Sequence, residues 1–311
     1  MNETSIKGLD LSERFWNEVG KPAFAEKCPA VLEKAAVGLG GEGSECFGFD
    51  DAISRDHDWG PGFCIWLTKE DFAAIGAQAQ RIYAALPAQF EGFTRLRVSE
   101  YTAGRVGVQE IGNFYARYTG LDHPPQSLRE WRFAPEKGLS VTTNGRVFQD
   151  PVGDFSRFRT ALLEFYPEDL RRKKLAAVCA VAAQAGQYNY ARCMRRGESV
   201  AAMQALGEFV HNAMRAIFLL NRRYMPYYKW NYRALCDLPL LGGETAPLFQ
   251  AIAEELQGRE ARIEEISALI IAQLKRQGLS GGGSDFLLHH AEELQRGITD
   301  PMLQKMHLMA E

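Results

Sequence analysis

No two cysteines in this 311-residue chain are separated by only two residues. Its six thiols, Cys28, Cys46, Cys64, Cys179, Cys193 and Cys236, are scattered. That spacing argues against a CxxC redox motif or a structural zinc site, and free thiols in a reducing compartment are expected. Long apolar runs are also missing. No eighteen consecutive apolar residues occur, so no membrane-spanning helix is expected. The opening MNETSIKGLDLSERFW lacks the apolar core of a secretory signal. Both absences point to a cytoplasmic location. There is no basic excess either: the formal net charge is −3, which argues against a general nucleic-acid binder. What is present, 46% hydrophobic and 24% charged residues, is the composition of an ordinary soluble globular protein. The length is enough for two domains.

The most informative stretch is Gly43-Ser44 followed, after eleven residues, by Asp56-His57-Asp58. Residues i and i+2 of a strand share a face. On a strand, Asp56 and Asp58 would set two carboxylates side by side, an arrangement that costs energy unless a cation lies between them. Mg²⁺ takes oxygen ligands of this kind together with substrate phosphates. The Gly43-Ser44 turn offers backbone N–H groups and a hydroxyl suited to a phosphate. The two halves describe a site for a metal-bound nucleoside triphosphate.

The same stretch resembles the signature of the nucleotidyltransferase superfamily, Gly-Ser followed about ten residues later by Asp-x-Asp. The longer string GSECFGFDDAISRDHDWGP is similar to that of a bacterial nucleotidyltransferase-like family. The similarity extends to FYARYTG (114–120), NGRVFQDPVGDF (144–155) and NRRYMPYYKW (221–230), and so spans most of the chain. The resemblance implies that Gly43 and Ser44 hold the triphosphate, that Asp56 and Asp58 bind two Mg²⁺ ions, and that the substrate is an NTP, with ATP the expected one. It implies transfer of a nucleoside monophosphate to a hydroxyl-type acceptor on a small molecule or a protein. A third carboxylate is expected on a later strand. Glu110 is one candidate, on the face of Val106 and Val108 if 105–111 is a single strand. Glu100 is the other, and Asp150 is a weaker one that could instead open a turn with Pro151. Two alternatives stay open. One is a catalytically silent nucleotide-binding sensor or partner-binding module, which loss of the third acid would favour. The other is an antitoxin-like transferase acting on a partner protein.

The fold expected is α+β: an N-terminal nucleotidyltransferase-like mixed sheet with helices over 1–155, then an all-α helical bundle over 156–311 that binds the acceptor or a partner. Residues 11–38 read as helical with interruptions at Pro22 and Pro29. The run AAVGL enters the glycine-rich turn as a strand end, and GFCIWL (62–67) fits a buried strand. Thr68 and the acids after it cap an amphipathic helix ended by Pro87. Runs 94–102 and 105–111 are strand-like, and the order matches a sheet with helices on one face. Segments 167–194, 198–222, 246–257, 259–277 and 285–296 carry the helical period, with GLSGGGSD (278–285) a flexible break.

On a strand, Arg55 and His57 would face away from the metal side. The basic and aromatic cluster Arg222–Trp230 offers Lys229 to the phosphates and a ring to the base, or is a packed corner. The run Arg171-Arg172-Lys173-Lys174 reads as a solvated helix face, and His211, His289 and His290 as structural.

Overall fold

A computed structural model describes residues 6–56, 58–96 and 104–311, which form two compact units, Met1–Glu164 and Phe165–Glu311. The fold is α+β. The division falls at 164/165 and not at the expected 155/156, because the helix that starts at Asp154 packs on the sheet of the first unit.

That unit begins with α1 (Gly8–Phe15), a π-helical turn (Trp16–Gly20), α2 (Lys21–Lys27) and α3 (Ala30–Lys34). Pro22 sits at the start of α2, where its missing N–H costs nothing. The strands are β1 (Ala36–Leu39), β2 (Cys64–Leu67), β5 (Gly107–Glu110) and β6 (Arg146–Gln149), in the order β5-β2-β1-β6, with β2 and β5 parallel and the other pairs antiparallel. A short hairpin, β3 (Gln89–Phe90) with β4 (Phe93–Thr94), stands apart. Of the strand expected over 94–102, Thr94 falls in β4, residues 95 and 96 are in no strand, and residues 97–102 lie outside the described residues. Strand β6 was not foreseen as a strand. Asp150 ends it by accepting from Gly153 N (2.9 Å) and Ser156 N (2.8 Å), which caps the next helix.

Helices cover both faces of the sheet, not one. On the first face Val37, Leu39, Ile65, Leu67 and Val106 join Phe15, Trp16, Phe24 and Tyr83 in one apolar cluster. These partners come from α1, the turn after it, α2 and α4 (Lys69–Ala84). Helix α4 is capped as expected: Thr68 Oγ1 accepts from Asp71 N at 3.2 Å. The second face is aromatic. Trp66 stacks on Phe155 of α8 (Asp154–Leu163) with ring centroids 4.0 Å apart, and meets Phe114 of α5 (Ile111–Thr119) edge-on at 5.2 Å. Gly38 opposite leaves room for the indole, since a Cβ there would lie 3.0 Å from the Trp66 ring and 2.4 Å from Arg146 O. Two short helices, α6 (Leu128–Phe133) and α7 (Glu136–Thr142), complete the unit.

The second unit is all helical: α9 (Glu168–Ala182) continuing through a π-helical stretch (Ala183–Tyr190) into α10 (Ala191–Arg195), then α11 (Ser199–Leu220), α12 (Tyr228–Cys236), α13 (Gly242–Glu254), α14 (Arg259–Arg276), α15 (Leu287–Arg296) and α16 (Pro301–Lys305). Two expectations fail here. The basic run on α9 is not a solvated face, because Arg171, Lys173 and Lys174 are buried. Each has its charge answered, as burial demands. Lys173 Nζ donates to Gln295 Oε1 and to the carbonyls of His307 and Leu308, Lys174 pairs with Glu311 at 3.1 Å, and Arg171 pairs with Glu168 at 2.8 Å. The glycine-rich break is fastened down. Glu293 accepts from the N–H groups of Gly281 and Gly282, and the buried His290 bonds Ser280 Oγ (2.7 Å) and Ser284 O (2.8 Å). His290 is thus structural, as expected. Among the described residues no helix is long and apolar enough to cross a membrane.

Candidate functional site

Strand β1 runs out at Leu39 into Gly40-Gly41-Glu42-Gly43-Ser44. Asn144 clamps this loop: its Oδ1 accepts from Gly41 N (3.1 Å) and its Nδ2 donates to Gly41 O (2.7 Å). Gly145 N adds a bond to Cys46 O at 2.8 Å. Gly43 O and Ser44 O then accept from Cys46 N (3.1 Å) and Phe47 N (3.2 Å), winding the single 3₁₀ turn Glu45–Phe47. The Ser44 hydroxyl does not cap that turn. Gly48, at φ 73°, reverses the chain out of it.

Asp50 follows and is buried, not part of a solvated acidic turn. Its Oδ2 accepts from Gly8 N (2.7 Å) and Trp59 Nε1 (3.1 Å), which anchors the start of α1 and the far end of the motif loop to one carboxylate. Asp51 Oδ1 accepts from Ile53 N and Ser54 N, both at 3.1 Å, and starts the 3₁₀ turn Ile53–Arg55. Arg55 packs its guanidinium over Trp59 (4.8 Å) and Phe93 (5.2 Å) and donates to Ile6 O.

Asp56 and Asp58 therefore do not lie on a strand. Asp56 closes the 3₁₀ turn at φ −68°, and Asp58 is left-handed at φ 52°. The i, i+2 argument for one shared face does not apply, although both side chains are exposed at the same loop. His57 between them lies outside the described residues. The strand begins only at Cys64, after Gly60-Pro61-Gly62. Gly60 is required there, because a Cβ would meet Thr94 O at 2.2 Å.

Arg105 joins the two halves of the motif. Its Nη2 lies 2.8 Å from Glu45 Oε1 and its Nη1 3.8 Å from Asp58 Oδ2. Glu45 is 5% exposed. Burial raises its carboxyl above the usual range, and Arg105 opposes that without cancelling it. Burial likewise pushes up the thiols of Cys46 beside it and of Cys64, the latter to about 12. Sequence reasoning missed Glu45, Asp50, Trp59 and Arg105. Glu45 could have been suspected from its place directly after Gly43-Ser44, but a lone arginine ahead of a strand carries no local signal.

The third-carboxylate candidates separate. Glu110 is the last residue of β5, opposite Leu67 of the parallel β2, and accepts from Asn113 Nδ2 at 3.0 Å. Arg105 precedes the start of β5, so Glu110 lies at the far end of the strand, on the order of 10 Å along it. The fold does not gather Glu110 with Asp58. Glu100 lies outside the described residues. Asp150 caps α8. Among the described residues no three His, Cys, Asp or Glu side chains form a metal-binding group. The donors present suit one hydrated Mg²⁺, an ion that commonly keeps several waters and takes one or two carboxylates.

Lys229 belongs to the second unit, where it is exposed on α12 with Nζ 5.1 Å from the Trp230 ring centroid. Its neighbourhood is in part a packed corner: Tyr224 is buried against Phe165 (4.7 Å) and Tyr166 (5.2 Å). Tyr228 is 70% exposed.

The family described as "Domain of unknown function (DUF4037)" matches residues 131–231, a stretch that begins in α6 and ends in α12. No curated protein matches the chain. Among solved structures, a nucleotidyltransferase-like protein from Exiguobacterium sibiricum 255-15 is similar at 11% identity and a TM-score of 0.35, over 92% of this chain and 79% of that one. At that TM-score the two backbones diverge widely, and the neighbour's site is no guide to this one.

Proposed function

We propose that the protein binds an NTP, with ATP the expected one, as its Mg²⁺ complex at the loop that carries Gly43, Ser44, Asp56 and Asp58, and transfers the nucleoside monophosphate to a hydroxyl on a small molecule or protein. The supporting observation is Arg105, whose guanidinium bonds the residue after Gly43-Ser44 at 2.8 Å and lies 3.8 Å from the second aspartate of the pair. Two motif halves eleven residues apart thus meet around one cation. In this reading the Gly43-Ser44 turn orients the phosphates through its N–H groups and hydroxyl. Asp56 and Asp58 hold the metal by oxygen donors exposed to water, where hydration need not be fully lost. Mg²⁺, when bound, supplies charge neutralisation at the phosphates. The acceptor oxygen bonds to the α-phosphorus as the α–β bridging bond breaks. Pyrophosphate leaves, and the hydroxyl proton passes to solvent.

A second reading, nucleotide binding without turnover, is favoured by one observation: Glu110 is the last residue of β5, at the end of the strand remote from Arg105. Pyrophosphate release from Mg·ATP, measured with cell extract as the source of acceptor, separates the two. Release above an extract-only control supports transfer. Binding by calorimetry without release supports the second reading, and absence of binding removes both. Ser44→Ala is expected to weaken Mg·ATP binding by about 1–2 kcal/mol, the loss of a hydrogen bond to a charged group. Gly43→Val should weaken it further, since a side chain there would block the close approach of a phosphate to the turn's backbone. Equal and negligible effects would leave the turn a structural element only.

A further inference from the structure

Glu45 is held in an unusual way for a loop acid. Its side chain is almost fully buried, and its carboxylate lies directly over Gly43. A Cβ built on Gly43 would fall 2.1 Å from Oε1 and 2.3 Å from both Cδ and Oε2. The same oxygen, Oε1, accepts from the Arg105 guanidinium at 2.8 Å. The cleft lined by Gly40, Gly41, Glu45, Gly60 and Arg105 has a volume of about 10 Å³, room for about one water. An anion pressed between a glycine-rich turn and an arginine is the arrangement by which proteins hold phosphate.

We propose that the Glu45 carboxylate is an internal stand-in for a substrate phosphate, and that Arg105 is the phosphate-binding residue it masks. The inference rests on the nucleotide reading above and adds to it a specific cationic ligand and a competitor built into the chain. A phosphate enters as Glu45 swings out to solvent. The movement regains hydration for the carboxylate and frees the Arg105 fork, which then takes phosphate oxygens in place of the carboxylate oxygen. Two other cations near the loop are engaged elsewhere: Lys7 with Asp50, and Arg55 with Trp59, Phe93 and Ile6 O. Arg105 also lies 3.8 Å from Asp58, so one side chain could report phosphate occupancy to the metal-binding loop.

The alternative is that the Glu45–Arg105 pair only fastens the turn to the start of β5. The two accounts differ in sign for Glu45→Gln, which keeps the size of the side chain and removes its charge. Binding of inorganic tripolyphosphate without metal, and of Mg·ATP, is measured by calorimetry on the wild type, on Glu45→Gln, and on Glu45→Gln combined with Arg105→Gln. The double variant leaves no buried charge without its partner, and melting temperatures check that all three fold. Glu45→Gln is expected to bind tripolyphosphate about ten- to a hundredfold more tightly than the wild type, the range for gaining a hydrogen bond to a charged group. The double variant should lose that gain. Unchanged or weaker tripolyphosphate binding in Glu45→Gln overturns the inference, and so does a gain that survives loss of Arg105. If the gain appears and depends on Arg105 while no variant binds Mg·ATP, the phosphate seat stands and the nucleotide reading falls. Wild-type Mg·ATP binding that neither substitution alters leaves the nucleotide reading standing and removes the stand-in.

Discussion

Replacing Asp56 and Asp58 together by asparagine is expected to abolish Mg²⁺-dependent nucleotide binding while the fold persists. The structural cost is small for identifiable reasons. Both side chains are exposed. Asparagine accepts the left-handed backbone of position 58 as readily as aspartate does. The Arg105–Asp58 ion pair, at 3.8 Å with Asp58 47% exposed, belongs to the class worth about 0–1 kcal/mol. The functional cost is large, because an amide oxygen carries no net charge to offer a hard divalent ion. The metal-free affinity for ATP should stay level or rise, since two negative charges no longer oppose the phosphates. Calorimetry with and without Mg²⁺ gives both numbers, and a double variant that binds Mg·ATP as the wild type does would remove Asp56 and Asp58 from the site.

Trp66→Ala is expected to be the most destabilising substitution named here, by about 3–5 kcal/mol. The indole is 1% exposed, stacks on Phe155, meets Phe114 and lies over Gly38. Its removal opens a cavity between the sheet and the two helices on that face. Trp66→Phe should cost much less. It keeps an aromatic ring against Phe155, and it deletes a buried indole N–H that has no acceptor among the described residues. Urea unfolding followed by circular dichroism gives both values. A loss under about 1 kcal/mol for the alanine variant, the size usual for surface changes, would mean that α5 and α8 are held to the sheet by other contacts.

Legibility in the sequence followed the range of the interaction. Strands β1 and β2 and the Thr68 cap of α4 were readable because their signals lie within a few residues: an apolar run, a glycine boundary, a hydroxyl three residues before an acid. The breaks of the helical unit were readable for the same reason. The placement of Asp56 and Asp58 on a strand failed because the apolar run that follows them is a strand, and the pattern was extended backwards across Trp59-Gly60-Pro61-Gly62. Those four residues are strong punctuation, and they put the aspartates in a turn. The one-face sheet failed because NGRVFQDPVGDF encodes an edge strand and then an aromatic helix, and nothing local says that Phe155 reaches Trp66. Charge was the least legible quantity. Arg171, Lys173 and Lys174 look like a surface run, yet each finds its partner more than 100 residues away or on its own helix. Glu45 and Arg105, 60 residues apart, are a pair only in three dimensions.

The left-handed backbone at position 58 has a consequence for how such chains diverge. Aspartate, asparagine and glycine all tolerate that conformation, so the loop places little steric selection among them. A lineage can exchange the carboxylate for an amide at this point and keep its architecture, which, under the proposed transfer function, makes passage from catalyst to binding protein a single inexpensive step. Persistence of an acid at position 58 among descendants would therefore measure selection on charge, and its free drift would date the loss of chemistry in a shape that outlasts it.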